Sequence, residues 1–186
     1  MKSTIPTTLP DTGFSFAEAK IPKEISDHIR SLEYEYSFHE EHKGVKYGAS
    51  DINLYPDLTA IVPWDVSKYE VHWLAKIHDA GFYLHPHRAY HGDNMEYQGP
   101  AMILTWLTPD NYHGREFVYG EFTDINFSQN IFPWDYPYLV ERGRIQPKTG
   151  TFCVMDRLSY KWWHAVTEQK SNGIITLIAE LRDGKR

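Results

Sequence analysis

Six short apolar segments follow Gly81, and they limit the folds open to this 186-residue chain more than any other feature. They run over 82–91, 101–107, 116–122, 151–156, 160–166 and 174–181. Pro109-Asp110-Asn111 and Ser171-Asn172-Gly173 are among the pieces between them. Such residues favour turns, because Asn and Asp bond their own backbone and Gly accepts a positive φ. Strands this short and this regularly interrupted pack as a sandwich, jelly roll or barrel. Six Trp, thirteen Tyr and nine Phe fit that expectation. Flat rings pack well on pleated surfaces, and they also line ligand pockets.

The first part of the chain reads differently. Residues 1–20 have the character of an extended arm. Pro22 then stands where a first helical turn tolerates it, and Ile25, Ile29 and Leu32 recur at helical spacing. A second helix is expected after Ser67-Lys68-Tyr69-Glu70, which has the form of a capping box. Val71, Leu74, Ala75 and His78 would form its stripe and Gly81 its C-terminal stop. The expectation is a single mainly β (α+β) domain over 1–186: an arm and supporting helices in 1–81, then a β core in 82–182 whose one sheet the helices back. The Pro- and aromatic-rich stretch between 123 and 147 suits either an edge strand or a loop over a pocket.

Charge and cysteine narrow the setting. The chain has 19 basic against 25 acidic residues and no Lys/Arg run, so the broad basic footprint of a nucleic-acid binder is missing. Cys153 is the single cysteine, which rules out an internal disulfide and suits a reducing compartment. No apolar leader or bilayer-length apolar run is present, so the expectation is a cytoplasmic protein without a membrane partner.

His91-Gly92-Asp93 places an imidazole and a carboxylate two residues apart, on one side of an extended strand. A second histidine from another strand would complete a two-His-one-carboxylate triad, which leaves adjacent positions on iron(II) open. His164, in Lys161-Trp162-Trp163-His164-Ala165-Val166, is the natural third ligand. The dipeptide pattern alone is weak among ten histidines and recurs at His39-Glu40-Glu41, within a polar stretch. His85-Pro86-His87 is a rival pair, as in cupin-type sites. His72, His78 and His113 read as surface, boundary or turn residues. Trp106, Trp162 and Trp163 read as core, and Cys153 as a buried strand residue.

From about Phe82 to Arg182 these pieces fall in an order that resembles the 2-oxoglutarate/iron(II) oxygenases of the prolyl-hydroxylase-like type. His91-Gly92-Asp93 stands where that family carries H-x-D. Gly114-Arg115-Glu116-Phe117-Val118-Tyr119 resembles its G-G-E-[LF]-x-[FY] strand, and Gln146 to Asp156 resembles its P-x-x-G strand. Trp163-His164-Ala165-Val166 resembles its distal H-x-V. The resemblance implies a double-stranded β-helix (jelly roll) holding Fe(II) on His91, Asp93 and His164. It also implies O2 and 2-oxoglutarate as cosubstrates and hydroxylation of a small-molecule or peptidyl substrate. Relatives that halogenate carry Gly or Ala where Asp93 stands.

The chain departs from that pattern at one place. The family's basic anchor for the cosubstrate carboxylate lies some ten residues past the distal His, which here falls near Ile175. A carboxylate buried against Ile would be unpaired. Arg182, Arg88, Tyr83 and Thr176 are the candidates to replace the anchor. Two other readings follow from its loss: a cupin-type metalloenzyme that does not use 2-oxoglutarate, or a non-catalytic jelly-roll binding module.

Overall fold

From Tyr69 onward the chain is built of strands whose side chains alternate between two faces, and that period of two sets the architecture. The computed structural model describes residues 2–5, 9–38, 46–52, 58–88, 99–110, 112, 114–126 and 129–183. Among them, the first part forms β1 (Ser3–Thr4), α1 (Leu9–Thr12), β2 (Phe14–Glu18), α2 (Lys23–Ser31), β3 (Glu35–Phe38), β4 (Lys46–Asp51), α3 (Leu58–Ile61) and β5 (Trp64–Asp65). Next come β6 (Tyr69–His78), β7 (Leu84–Arg88), β8 (Ala101–Leu107) and β9 (Phe117–Phe122). The last four are β10 (Leu139–Ile145), β11 (Thr151–Asp156), β12 (Trp162–Val166) and β13 (Ile174–Asp183).

The strands form two large antiparallel sheets. One is ordered β2-β11-β8-β13-β6-β4-β3 and the other β10-β9-β12-β7. Their central parts, β6-β13-β8-β11 and β7-β12-β9-β10, take strands of the chain in turn except at the consecutive pair β9-β10, which is the interleaving of a jelly roll, or double-stranded β-helix. The fold is therefore mainly β, as the sequence leads one to expect.

Burial follows the alternation. On β13, Ile175, Leu177, Ala179 and Leu181 point outward into an apolar layer. Ile25 and Ile29 of α2 and Leu58 and Ile61 of α3 cover that layer. Each fully buried Ile or Leu contributes about 1.5–3 kcal/mol, which holds the short helices on the sheet. The opposite face of the same strands meets the small sheet: Leu104, Trp106, Cys153 and Met155 pack against Phe117, Trp162 and Val166. A third cluster of Val118, Phe122, Phe132, Trp163 and Ala165 covers the outer face of the small sheet.

Two expectations about the first part of the chain are overturned. The predicted second helix is strand β6, paired with β13 on one side and β4 on the other. The same residues carry both periods. Val71, Trp73, Ala75 and Ile77 join the outer layer, while His72, Leu74, Lys76 and His78 face the interior. Ladders on both sides satisfy the backbone, and the β-branched and aromatic residues suit a strand. The apparent capping box is a turn: the Ser67 N–H donates to Asp65 Oδ1 at 3.0 Å and the Tyr69 N–H to the Val66 carbonyl at 3.0 Å. Gly81 does adopt a positive φ of 91°, in the turn after β6. Within the expected arm, residues 14–18 form an edge strand on β11.

The 123–147 stretch resolves as an edge element. Among the described residues β10 pairs only with β9, and Phe132 is buried in the outer cluster. Among the described residues, none of this stretch lines the interior cavity. No helix of the described residues is long and apolar enough to cross a membrane.

Candidate functional site

Between the sheets lies a cavity of about 520 Å³. Its walls are the inward faces of β6, β8 and β13 on one side and of β7, β9 and β12 on the other. Every residue of β12 is buried. Trp163 and Ala165 fill the outer cluster, so the period of two turns Trp162, His164 and Val166 inward. His164 is 6% exposed and lies between Tyr119 of β9 and His87 of β7 in the sheet.

His87 reaches the cavity through an irregularity. β7 pairs Leu84 with Val166 and His87 with His164, so three residues of β7 span two of β12. This is a β-bulge, placed where Pro86 cannot donate to the ladder. The extra residue re-aims His87 inward, with its ring centroid 4.1 Å from that of His164. His87 Nδ1 is 2.8 Å from the His85 carbonyl oxygen. A carbonyl only accepts, so Nδ1 carries the proton there.

One end of the cavity holds a buried cation. Arg115, 3% exposed, donates to Gln169 Oε1 at 3.2 Å and to Thr176 Oγ1 at 3.1 Å. Gln169 is fixed in that orientation, because both of its amide hydrogens go to carbonyls, those of His78 and Ser171, each at 2.7 Å. The guanidinium also lies over the Phe82 ring at 5.6 Å. Burial pushes its pKa down to about 10, partly opposed by Tyr112, so it stays charged at neutral pH. Among the described residues no carboxylate pairs with it, and its Nε has no hydrogen-bond partner. A charge buried this way is costly unless an anion meets it.

Several solved structures are similar along nearly the whole chain. A prolyl-4-hydroxylase from Pseudomonas putida has a TM-score of 0.61 at 12% identity, covering 95% of this chain and 96% of that one. An oxidoreductase of the 2OG-Fe(II) oxygenase family from Burkholderia pseudomallei has 0.59 at 11%, covering 100% and 97%. The epimerase SnoN in complex with Fe3+, alpha ketoglutarate and nogalamycin RO has 0.58 at 12%, covering 94% and 80%. The fold is that of the 2OG-Fe(II) oxygenases. No protein-family model matches the sequence, and no curated protein matches it.

Within this fold the sequence-derived candidates separate. His164, Thr176 and Arg182 line the cavity. Tyr83 and Arg88 do not: Arg88 pairs with Trp163 in the ladder and packs its guanidinium 5.0 Å from the Tyr160 ring. Of the rival pair, His87 lines the cavity and His85 does not. His91 and Asp93 lie outside the described residues, as do His39-Glu40-Glu41 and His113. Among the described residues no three His, Cys, Asp or Glu side chains come together as a metal-binding group. Thr176 and Arg182 are six positions apart on one strand, roughly 20 Å at strand rise, so they do not grip the same carboxylate.

Sequence reasoning missed Arg115, and two clues pointed to it. The oxygenase pattern G-G-E reads Gly114-Arg115-Glu116 here, an arginine in place of a small residue. The anchor position was also out of phase: Ile175 faces the outer layer, and the cavity-facing neighbour is Thr176, the residue that accepts from Arg115. His72 and His78, expected at a surface or boundary, line the cavity because β6 is a strand. The three tryptophans are buried as expected, and burial raises the Cys153 thiol well above its ordinary pKa.

Proposed function

We propose that this protein is an iron(II)- and 2-oxoglutarate-dependent oxygenase that hydroxylates a small substrate in the cavity between its sheets. Its ligands would be His91, Asp93 and His164. The observation that carries this reading is the buried Arg115–Thr176 seat in the same cavity as His164. A charged guanidinium with unused donors suits a carboxylate, and it supplies the basic group missing near Ile175. His164 has the donor chemistry for iron(II). β7, which carries His87 beside it, ends three residues before His91.

In this scheme Arg115 holds the distal carboxylate of the cosubstrate, and Thr176 turns its hydroxyl hydrogen to the same group. Gln169 keeps the guanidinium in place. The surrounding Phe82, Trp106 and Phe117 exclude water, which strengthens each of these contacts. When bound, iron(II) and the 2-oxo acid supply the activation of O2 that oxidises a C–H bond.

The test is anaerobic titration of iron(II), then 2-oxoglutarate. The expected result is tight iron binding that fails in His91→Ala, Asp93→Ala and His164→Ala but survives in His85→Ala. A visible absorption band requiring both iron and 2-oxoglutarate should accompany it. Iron binding unchanged in His164→Ala, or iron binding with no 2-oxoglutarate-dependent band and no succinate formed from 2-oxoglutarate once oxygen is admitted, overturns the proposal.

A further inference from the structure

The chain is acidic overall, with a formal charge of −6. Its cavity is the reverse: among the described lining residues, Lys76, Arg115, Arg157 and Arg182 face a single carboxylate, Glu180. These cations fall into two groups. Lys76 stands directly across the ladder from Thr176, beside Arg115. Arg157 and Arg182 gather around Glu180, four residues further along β13, roughly 13 Å at strand rise.

The second group is electrostatically unbalanced. Arg157 reaches Glu180 Oε1 at 3.4 Å and Arg182 reaches Oε2 at 3.1 Å, so two guanidiniums share one carboxylate. The Arg157 side chain is only 3% exposed, whereas those of Glu180 and Arg182 are about a third exposed. The Nε atoms of both arginines are buried without a hydrogen-bond partner among the described residues. Burial and the neighbouring Arg182 lower the Arg157 pKa, against the pull of Glu180. A structural ion pair would match one charge with one charge and satisfy its donors. This arrangement leaves an excess of positive charge in the cavity wall and buried N–H groups without a partner among the described residues.

We propose that the Arg157–Glu180–Arg182 end of the cavity is the substrate subsite, and that the substrate is a small molecule bearing an acidic group, a carboxylate or a phosphate. The forked donors of arginine suit either. Glu180 holds the two forks apart and weakens the site enough for product to leave. The proposal rests on the oxygenase reading for what becomes of the substrate, but not for its binding.

The experiment measures binding, so it does not depend on turnover. Protein carrying iron(II) and saturating N-oxalylglycine, which occupies the Arg115 seat, is held anaerobically. It is then titrated with N-acetyl amino acids and aromatic acids, each paired with its amide, and with phosphate monoesters, each paired with its alcohol. The same titrations are run without iron or N-oxalylglycine, so that failure of the oxygenase reading leaves the result interpretable. At least one acid is expected to bind tenfold or more tightly than its neutral partner, and the two arms separate carboxylate from phosphate. Arg157→Gln should weaken that acid about 10–100-fold, the range for a charged hydrogen bond. Glu180→Gln should strengthen it, which keeps the test valid if Arg157→Gln folds poorly. No preference for acid over neutral partner in either arm overturns the proposal. So does an acid whose affinity Glu180→Gln leaves unchanged or lowers.

Discussion

Replacing Arg115 with Met keeps an unbranched apolar stem and removes the guanidinium. The cost of burying that group unpaired is visible in its ionisation: burial lowers its pKa from 12.5 to about 10, equivalent to about 3 kcal/mol against the cation. Because the folded value lies below the unfolded one, the penalty is constant at all pH below about 10 and disappears only as pH rises toward the unfolded value. A carboxylate seated against Arg115 recovers most of it, which corresponds to roughly a hundredfold in affinity. Against the gain from removing the charge, Met leaves Gln169 Oε1 and Thr176 Oγ1 each without a donor, at about 1–3 kcal/mol apiece. The ligand-free variant should therefore stay close to wild type in stability. The difference emerges with 2-oxoglutarate. At about a hundred times the wild-type Kd, ligand stabilises the wild type by about 2.7 kcal/mol, or about 5–11 °C in Tm for a chain of this size. Arg115→Met at the same concentration should gain only about 1–2 °C. Calorimetric titration with iron(II) under nitrogen gives the affinities directly, with Arg182→Met as the control from the far end of β13. If Arg115→Met binds 2-oxoglutarate within threefold of wild type, or if Arg182→Met loses more affinity than it does, the cosubstrate seat is wrongly assigned.

Other outcomes follow from the packing and charge. Gly120→Ala should lower stability by about 1–3 kcal/mol or more in denaturant unfolding, because its Cβ would collide with the Val140 carbonyl and the Trp163 ring. Trp163→Ala should cost about 3–5 kcal/mol: the indole is 2% exposed and donates to the Glu121 carbonyl at 3.1 Å. Cys153 is fully buried with a raised pKa, so the folded protein should resist thiol reagents at pH 8 and react only on unfolding. Lys161 first, and then Arg142, hold Glu121 below its usual 4.5. Its contribution is complete above that value and is lost as pH falls through the lower folded one. Glu121→Gln should therefore flatten the acid limb of the stability curve.

The late strands were legible because their apolar runs are short and bounded by turn residues. β8 and β11 fall at the residues the sequence indicates, Ala101–Leu107 and Thr151–Asp156. β6 was not, since Val71, Leu74, Ala75 and His78 satisfy a helical stripe while Val71, Trp73, Ala75 and Ile77 satisfy a strand face. Only partners distant in sequence, β13 and β4, decide between them. His164 was legible as inward-facing from its place in an all-apolar strand. Arg115 was not, because its meaning depends on Thr176 and Gln169 arriving from sixty-one and fifty-four residues away. The phase of β13 misled by a single position, which in a strand reverses the face.

Among the described strands β13 comes last in chain order, yet it is the fourth of seven in its sheet, between β6 and β8. A nascent chain that has released β12 but not β13 holds two half-sheets with open edges and no path to join them. Thr176, Glu180 and Arg182 all arrive on that keystone. β13 must emerge before the chamber between the sheets completes either of its charged ends, and until then the exposed edges of β6 and β8 are sites for a chaperone, or for pairing with another copy.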